Sequence, residues 1–198
     1  MPRPWPDRQD EQAREVFREE IGRIMEDEAV ELWFQDEMGV EGDPRPRRRW
    51  AEVGGKPTIT KNGDHLRTNV CGMVCPRTGE AFMLEFSHND TEIFQVFLDE
   101  ANKALELKRA RQVLIMDNAS WHKSKSLRWG RFEPKYLPAY SPDLNPIERL
   151  WLLIKSEWFK DHVCKTREAL SERVCKALRW IIKRQKANVQ TCRIRQVI

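Results

Sequence analysis

The feature that most constrains the fold is segment 112–151, in which a strand and a helix start are joined by a proline-rich connector. The segment opens on the apolar run 113–116, and Asp117 follows directly, which is typical of a buried strand that ends on a carboxylate. It closes on 145–148, NPIE, where an Asn cap, a Pro at the first helical position and Glu148 in the first turn predict a helix start. Two acidic residues therefore lie at the boundaries of two different elements.

The remaining pattern is that of an α/β protein with a helix at each end. Alternation predicts a first strand that ends on Asp36, and a helix capped by Asn89 or Asp90 leads to the strand before Asp117. That strand should lie parallel to an earlier one through a crossover connection. In chain order we predict a helix at 10–28, strands at 29–36, 66–74 and 81–86, a helix at 91–108, a strand at 112–117, a short helix at 121–129, a short strand at 134–137, and helices at 145–161 and 166–186.

The charge distribution indicates a polyanionic partner. The 198 residues carry a net charge of +4, but residues 1–43 hold fourteen acidic side chains against five arginines, whereas residues 165–198 hold ten basic side chains against two acidic ones. Between the predicted strands, a loop contains four arginines beside Trp50, and these are candidate contacts to phosphates: Arg45, Arg47, Arg48 and Arg49. The alternative for both features is a solvated surface without a partner.

Three acidic residues could form one site. Asp36 and Asp117 each end a strand, and neighbouring strands of an α/β sheet bring such residues to one edge, which Glu148 can reach from its helix. Clustered carboxylates repel unless a cation neutralises them, and oxygen ligands suit Mg²⁺ or Mn²⁺. A pair of such ions could activate a phosphodiester for in-line displacement.

Each of these acids also has a simpler interpretation. Glu148 could be the capping-box acid that reaches back to Asn145. Asp117 could accept hydrogen bonds from the amides of Asn118 and Ala119 in a turn. Asp36 has Glu37 beside it, which makes its assignment the weakest of the three. Only their joint placement at one sheet edge favours a common site.

Three motifs carry a family resemblance. They are WFQDE around Asp36, the tripeptide Asp117-Asn118-Ala119 followed by His122, and LPAYSPDLNPIERLW at 137–151. Together they resemble the DDE transposases of bacterial insertion sequences related to the mariner superfamily. The RRRWAEVGGKP segment, which includes Lys56, resembles a loop that follows the first catalytic Asp in that family, so Lys56 joins the arginines as a candidate DNA contact. The resemblance extends from about residue 31 to residue 159.

The resemblance implies an α/β, ribonuclease H-like fold with a five-stranded mixed sheet in the order 3-2-1-4-5, flanked by helices. The expected division is a helical lead-in at 1–28, a catalytic domain at 29–162 and a basic helical extension at 163–198. It implies that Asp36, Asp117 and Glu148 are the catalytic residues and hold two Mg²⁺ or Mn²⁺ ions, and that Asn118 and His122 support the geometry of the loop.

The activity implied is cleavage of transposon ends by phosphodiester hydrolysis, followed by joining of the freed 3′-hydroxyl to target DNA. Alternatives are a general ribonuclease H-like nuclease and a non-catalytic or truncated DNA-binding remnant. The 30 residues between Asp117 and Glu148 are somewhat fewer than this family usually has. No helix-turn-helix is predicted, so such a half could be separately encoded.

The expected partners are DNA, at the element ends and the target, and a second copy of the chain in a homodimer. No apolar run approaches the ~20 residues that span a bilayer, and the N-terminus has no signal-peptide core. The five cysteines form no CxxC pair, which is typical of reduced thiols. We therefore expect no membrane association and a cytoplasmic, nucleoid-associated protein.

Overall fold

The computed structural model describes residues 8–44, 50, 52–56, 58–106 and 109–194. Two short 3-10 turns, at Ser120–Lys123 and Pro142–Leu144, interrupt the loops between the later elements. In chain order the helices and strands are α1 (Glu11–Glu26), β1 (Val30–Glu41), β2 (Arg67–Val74), β3 (Ala81–Phe86), α2 (Thr91–Ala104), β4 (Arg111–Met116), β5 (Phe132–Tyr136), α3 (Ile147–Trp158), α4 (Arg167–Ile182) and α5 (Gln185–Thr191).

The strands form one five-stranded sheet in the order β3-β2-β1-β4-β5. The first three strands pair antiparallel, whereas β4 lies parallel to β1 and β5 lies parallel to β4. The mixed sheet, its strand order and the parallel crossover into β4 are therefore as predicted. This arrangement brings the C-terminal ends of β1 and β4 to the same edge.

The first strand is longer than predicted and does not end on Asp36. Its pairing with β4 stops at Phe34 and Ile115, but its pairing with β2 continues from Asp36, opposite Gly72, to Glu41. Long-range hydrogen bonds to β2 thus extend the strand past the point where local alternation fades. Asp36 lies where β1 loses its β4 neighbour, so its side chain still reaches the sheet edge.

Alternate residues of β1 face two different hydrophobic cores. Val30, Leu32 and Phe34 join the core that contains the buried faces of α3 and α4, while Trp33 joins the core under α2. Trp33 therefore points to the opposite face of the sheet from its neighbours. Both faces of the central strand are buried, which is expected of a strand flanked by helical layers.

The terminal helices pack on the same core as the sheet. Phe17 and Ile21 of α1 are buried in it, as are Leu170 and Val174 of α4. The helix α1 begins at the cap Asp10, whose side chain accepts a hydrogen bond from the Ala13 amide. Along the part of the chain that is described, no helix combines the length and the apolar character needed to cross a membrane.

Two predicted helices are corrected by the structure. In place of a helix over 121–129 only the Ser120–Lys123 turn forms, because Ser124 ends it by accepting the Leu127 and Ser126 amides. The predicted helix over 166–186 is broken at Lys183, and α5 begins at Gln185. The buried side chain of Asn188 donates to the carbonyl of Ile181 across this break, which stabilises the sharp turn. The other elements lie where predicted, with boundaries shifted by a few residues.

Candidate active site

A cleft of about 410 Å³ opens at the sheet edge where β4 ends and β1 loses its pairing with β4. The three acids singled out from the sequence, Asp36, Asp117 and Glu148, all line it. Asn118 lines the same cleft, and the proline-rich segment 137–142 forms one of its walls. The structure thus brings together residues from three distant parts of the chain.

The carboxylate of Asp36 is held by a buried tryptophan of α3. Trp151 donates a hydrogen bond from Nε1 to Asp36 Oδ2 at 3.1 Å. Its ring fits because Gly72 lies opposite Asp36 on β2, and a Cβ at Gly72 would come within 2.6 Å of Trp151 Cη2. A glycine on one strand therefore allows a helix side chain to reach an acid on the next. Neither Gly72 nor Trp151 was identified from the sequence.

Burial and a neighbouring acid make Asp36 harder to ionise. Desolvation is the larger cause and the charge of Glu148 is the second, and together they raise the pKa of Asp36 to about 7. Both carboxylates line the same cleft. A cation between them would remove the repulsion, which is the behaviour expected of metal-binding carboxylates.

Asp117 is fixed through one of its two oxygens. Its Oδ1 accepts hydrogen bonds from the Ala119 amide and from His122 Nδ1, both at 2.9 Å. The hydrogen bond from His122 is the main cause that lowers the pKa of Asp117, so this acid is ionised more readily than usual. The simpler interpretation of Asp117 as a turn residue is therefore partly correct, since its bond to the Ala119 amide is formed. Within the described residues, no recorded hydrogen bond uses Oδ2.

The imidazole of His122 is fully buried and touches a second carboxylate, that of Glu37. His122 Nε2 lies 3.0 Å from Glu37 Oε1. Burial opposes the charged imidazolium, but the hydrogen bonds to Asp117 and Glu37 outweigh it and raise the pKa of His122 to about 9. From the sequence, Glu37 was considered only as a neighbour that obscured Asp36. The alternation of side chains along a strand was the available signal, because it places Asp36 and Glu37 on opposite faces.

Asn118 connects the end of β4 to the proline-rich wall. Its side-chain amide donates to the Leu137 carbonyl at 2.6 Å, and the Leu137 amide donates to the Met116 carbonyl at 2.8 Å. These two bonds fix the start of the wall against the strand that carries Asp117. The contacts are consistent with the supporting role expected of Asn118.

The start of α3 differs in detail from the predicted cap. The helix begins at Ile147, with Pro146 as the preceding residue. The Asn145 side chain accepts a hydrogen bond from the Ile147 amide at 3.4 Å, as a cap does, and also donates to the Gln35 carbonyl at 2.9 Å. This bond joins the helix start to β1 at the residue before Asp36, which places Glu148 beside that acid. The longer reach of the Asn side chain to β1 could not be anticipated from local spacing.

Glu148 does not serve as a capping-box residue. The Asn145 amide, which a capping box would engage, donates to the Pro142 carbonyl at 2.9 Å. The Glu148 carboxylate is half-buried and forms no hydrogen bond with the residues that the structure describes. Its oxygens therefore remain available to a ligand in the cleft.

Of the five expected DNA contacts, four lie outside the described residues and one lies away from the cleft. Arg45, Arg47, Arg48 and Arg49 fall outside the described residues. Lys56 is exposed in a segment without regular secondary structure and does not line the cleft.

The donor set fits a hard divalent cation. Three carboxylates share the cleft, and the chemistry of oxygen donors favours Mg²⁺ or Mn²⁺ over softer metals. In the described ranges, no three His, Cys, Asp or Glu side chains stand as a ready group of metal ligands. Glu148, with its free carboxylate and flexible side chain, could rotate toward the other two acids.

Several solved structures of the Mos1 transposase share the fold of this chain. The chain is similar to the crystal structure of the Mos1 strand transfer complex, with a TM-score of 0.69 and 17% identity, over 97% of this chain and 65% of that one. It is similar to the mariner Mos1 paired-end complex with Mg, with a TM-score of 0.71 and 18% identity, over 97% and 61%. The Mos1 catalytic domain gives a TM-score of 0.60 and 16% identity, over 97% and 95%. The fold is ribonuclease H-like, as the motifs implied.

Relatives by sequence come from bacteria. The chain is 32% identical over 109 residues to the uncharacterized protein y4pE/y4sA of Sinorhizobium fredii, covering 54% of this chain and 80% of that protein. It is 25% identical over 148 residues to an uncharacterized 39 kDa protein of the insertion element IS630 from Shigella sonnei, covering 72% of this chain and 43% of that protein. The chain thus spans less than half of the insertion-element protein.

A family model described as DDE superfamily endonuclease matches residues 31–171. The matched range contains β1 to α3 and therefore all three acids of the cleft. It leaves out the helices α1 and α5.

Proposed function

The chain belongs to the DDE superfamily endonuclease family, and we propose that it is the catalytic domain of a DNA transposase. The proposed reaction is hydrolysis of a phosphodiester at a transposon end and attack of the freed 3′-hydroxyl on target DNA. The observation that carries this proposal is the meeting of Asp36, Asp117 and Glu148 in one cleft. The influence of Glu148 on the pKa of Asp36 supports their proximity.

We propose that Asp36, Asp117 and Glu148 hold the divalent ions. When bound, a pair of Mg²⁺ or Mn²⁺ ions would polarise the scissile phosphate and activate the attacking oxygen. The Mos1 paired-end complexes named for Mg and for Mn support this choice of metal.

The remaining residues of the cleft position those carboxylates. Trp151 keeps Asp36 oriented through its indole N–H, and His122 keeps Asp117 oriented through Nδ1. Asn118 holds the proline-rich wall in place, and this wall would limit the access of water to the reacting phosphate. A strand of DNA would therefore lie between the wall and the end of β1.

The proposed partners follow from the reaction. DNA would contact the basic residues of α4 and the loop with Arg45, Arg47, Arg48 and Arg49, with Lys56 nearby in the sequence. Pairing of two element ends requires two active sites, so we propose a homodimer. Recognition of the end sequence would come from a helix-turn-helix region, encoded either separately or together with this domain. Such a protein would work at the nucleoid in the cytoplasm.

Plasmid nicking in Mn²⁺ tests the activity without knowledge of the end sequence. We expect the wild-type chain to nick supercoiled DNA and Asp117→Asn to lower the rate by at least about a hundredfold, because metal ions stabilise such transition states by several kcal/mol. Asp99→Asn, the same change on the exposed face of α2, is the matched control and should nick normally. Cleavage retained by Asp117→Asn would contradict the proposal.

A strand-transfer assay separates a transposase from a general nuclease. The transposase reaction predicts that a pre-nicked end with a free 3′-hydroxyl becomes joined to a second duplex. Cleavage of RNA–DNA hybrids without joining would instead identify a nuclease.

A further inference from the structure

The strand β1 carries two consecutive acids, and the structure separates them onto opposite faces of the sheet. Asp36 faces Trp151 of α3, whereas Glu37 faces the layer of α2 and lies against the Ser120–Lys123 turn. The Glu37 side chain is 11% exposed. A buried carboxylate is costly unless it is paired. Glu37 is paired with His122, and the other ring nitrogen of His122 binds Asp117.

His122 bridges the two acids through a hydrogen bond at each of its two ring nitrogens. Its Nδ1 is 2.9 Å from Asp117 Oδ1 and its Nε2 is 3.0 Å from Glu37 Oε1. The ring is 0% exposed, and the Phe94 ring lies with its centroid 4.4 Å away. Because the imidazole is held at both nitrogens and packs against the Phe94 ring, it is fixed in one orientation. This orientation in turn fixes the Asp117 carboxylate.

Trp121 offers a competing hydrogen bond. Its Nε1 lies 3.1 Å from His122 Nε2 and 3.4 Å from Glu37 Oε1. Because Nε2 cannot donate to Glu37 and accept from Trp121 at once, the Glu37 bond directs the indole N–H to Oε1. Without Glu37, the indole could satisfy Nε2 by itself. An experiment on Glu37 must therefore control for Trp121.

We propose that Glu37 is a positioning residue for Asp117 and acts through His122. This inference rests on the proposed function, because it assumes that Asp117 binds a metal ion. Groups that hydrogen-bond a metal ligand typically change metal affinity by about 10–100-fold when removed, and His122 is such a group for Asp117. Glu37 itself does not line the cleft, so its effect on the metal would be indirect.

Positioning and structural stabilisation predict different outcomes. Removal of one partner of a buried ion pair is destabilising, because the other charge is left buried without compensation. A merely structural Glu37 would therefore change stability without changing metal affinity. A positioning Glu37 would change metal affinity even where stability is retained.

The test measures Mn²⁺ affinity of the full chain without DNA, from the free Mn²⁺ signal in electron paramagnetic resonance. All variants carry Trp121→Phe, which removes the competing N–H, and that variant is the reference. We expect Glu37→Leu to lower the affinity about 10–100-fold and Glu37→Gln, which keeps the acceptor oxygen, to stay near the reference. Glu31→Leu is the matched control, because Glu31 is buried on the same face of β1 but far from the cleft.

The outcomes separate this inference from the proposed function. Unchanged affinity in Glu37→Leu, or an equal loss in Glu37→Gln, would overturn the positioning role. If Glu37→Leu does not fold by urea titration, Glu37→Asp decides, since it withdraws the carboxylate by one methylene and should bind Mn²⁺ more weakly than Glu37→Gln. Equal affinity of these two would also overturn it. If Asp117→Asn in the wild type leaves Mn²⁺ binding unchanged, the proposed function fails as well.

Discussion

The buried guanidinium of Arg14 in α1 forms a two-pronged ion pair with Asp143, in the turn that leads into α3. Its Nη1 donates to Oδ1 at 3.0 Å and its Nη2 donates to Oδ2 at 2.7 Å, and the Arg14 side chain is only 1% exposed. Gln9 adds a hydrogen bond to the Tyr140 carbonyl. The first helix lies before the residues that the family model matches. Its ion pair nevertheless stabilises the segment that forms one wall of the cleft.

Loss of this pair should destabilise the fold. We expect Arg14→Met to lower the free energy of unfolding by about 1–2 kcal/mol, because it removes the two hydrogen bonds to Asp143 and one to Glu11 but keeps an apolar side chain in the buried position. Urea titration measures the change. Arg23→Met is the control, since its pair with Glu19 is exposed on the same helix and should contribute about 0.5 kcal/mol or less. Equal effects of both changes would contradict this account.

The same pair makes a prediction about pH. The hydrogen bond from Arg14 is the main cause that lowers the pKa of Asp143 in the folded state. A carboxyl group with a lowered pKa stabilises the fold above its unfolded pKa of about 4, and this contribution is lost as the pH falls through the folded pKa. The stability difference between the wild type and Arg14→Met should therefore be largest near neutral pH and shrink below about pH 4.

Urea titrations between pH 7 and pH 3.5 would measure this change. In a background that carries both Asp143→Asn and Glu11→Gln, no carboxylate partner of Arg14 titrates, so the effect of Arg14→Met should stay constant over that range. A difference that also stays constant in the wild-type background would contradict the assignment.

Two glycine substitutions should have opposite signs. Gly72→Ala would place a Cβ within 2.6 Å of Trp151 and 3.0 Å of Met83, so we expect a loss of about 1–3 kcal/mol from overpacking. Gly22→Ala, inside α1, meets no atom within 4 Å and should stabilise by about 0.5–1 kcal/mol through helix propensity. Thermal or urea unfolding distinguishes them. A neutral Gly72→Ala would show that Trp151 is not confined against β2.

The family resemblance of the motifs was sufficient to predict the sheet order, and the boundary at which each acid lies was sufficient to predict that the three acids share one cleft. Neither was sufficient to predict the contacts that hold them. Glu37 and His122 are 85 residues apart, and Arg14 and Asp143 are 129 apart, so no local pattern connects them.

The end of the first strand failed to follow local patterns for the same reason. The alternation of apolar residues fades near Asp36, but the hydrogen bonds to β2 continue to Glu41. The predicted cap Asn145 bonds to the Ile147 amide, but it also forms a long-range bond to Gln35 that no local pattern indicates. Tertiary pairing overrides propensity at these positions.

The arginine loop predicts a salt-dependent contribution to DNA binding. Changing Arg47, Arg48 and Arg49 to Glu should reduce the slope of log K against log salt by about 0.9 for each phosphate contact that is lost. Fluorescence anisotropy with a labelled duplex at several salt concentrations measures the slope. Arg23→Glu on the acidic helix α1 is the control. An unchanged slope in the triple variant would exclude the loop from the interface.

Anomalous diffraction from crystals soaked in Mn²⁺ tests the central claim most directly. The account predicts manganese peaks in the cleft, bound by oxygens of Asp36, Asp117 and Glu148, with two ions about 3.5–4 Å apart once DNA is present. Asp117→Asn crystals should lose the peak next to residue 117. A cleft without manganese in the wild-type crystals, or manganese held only by other residues, would contradict the account.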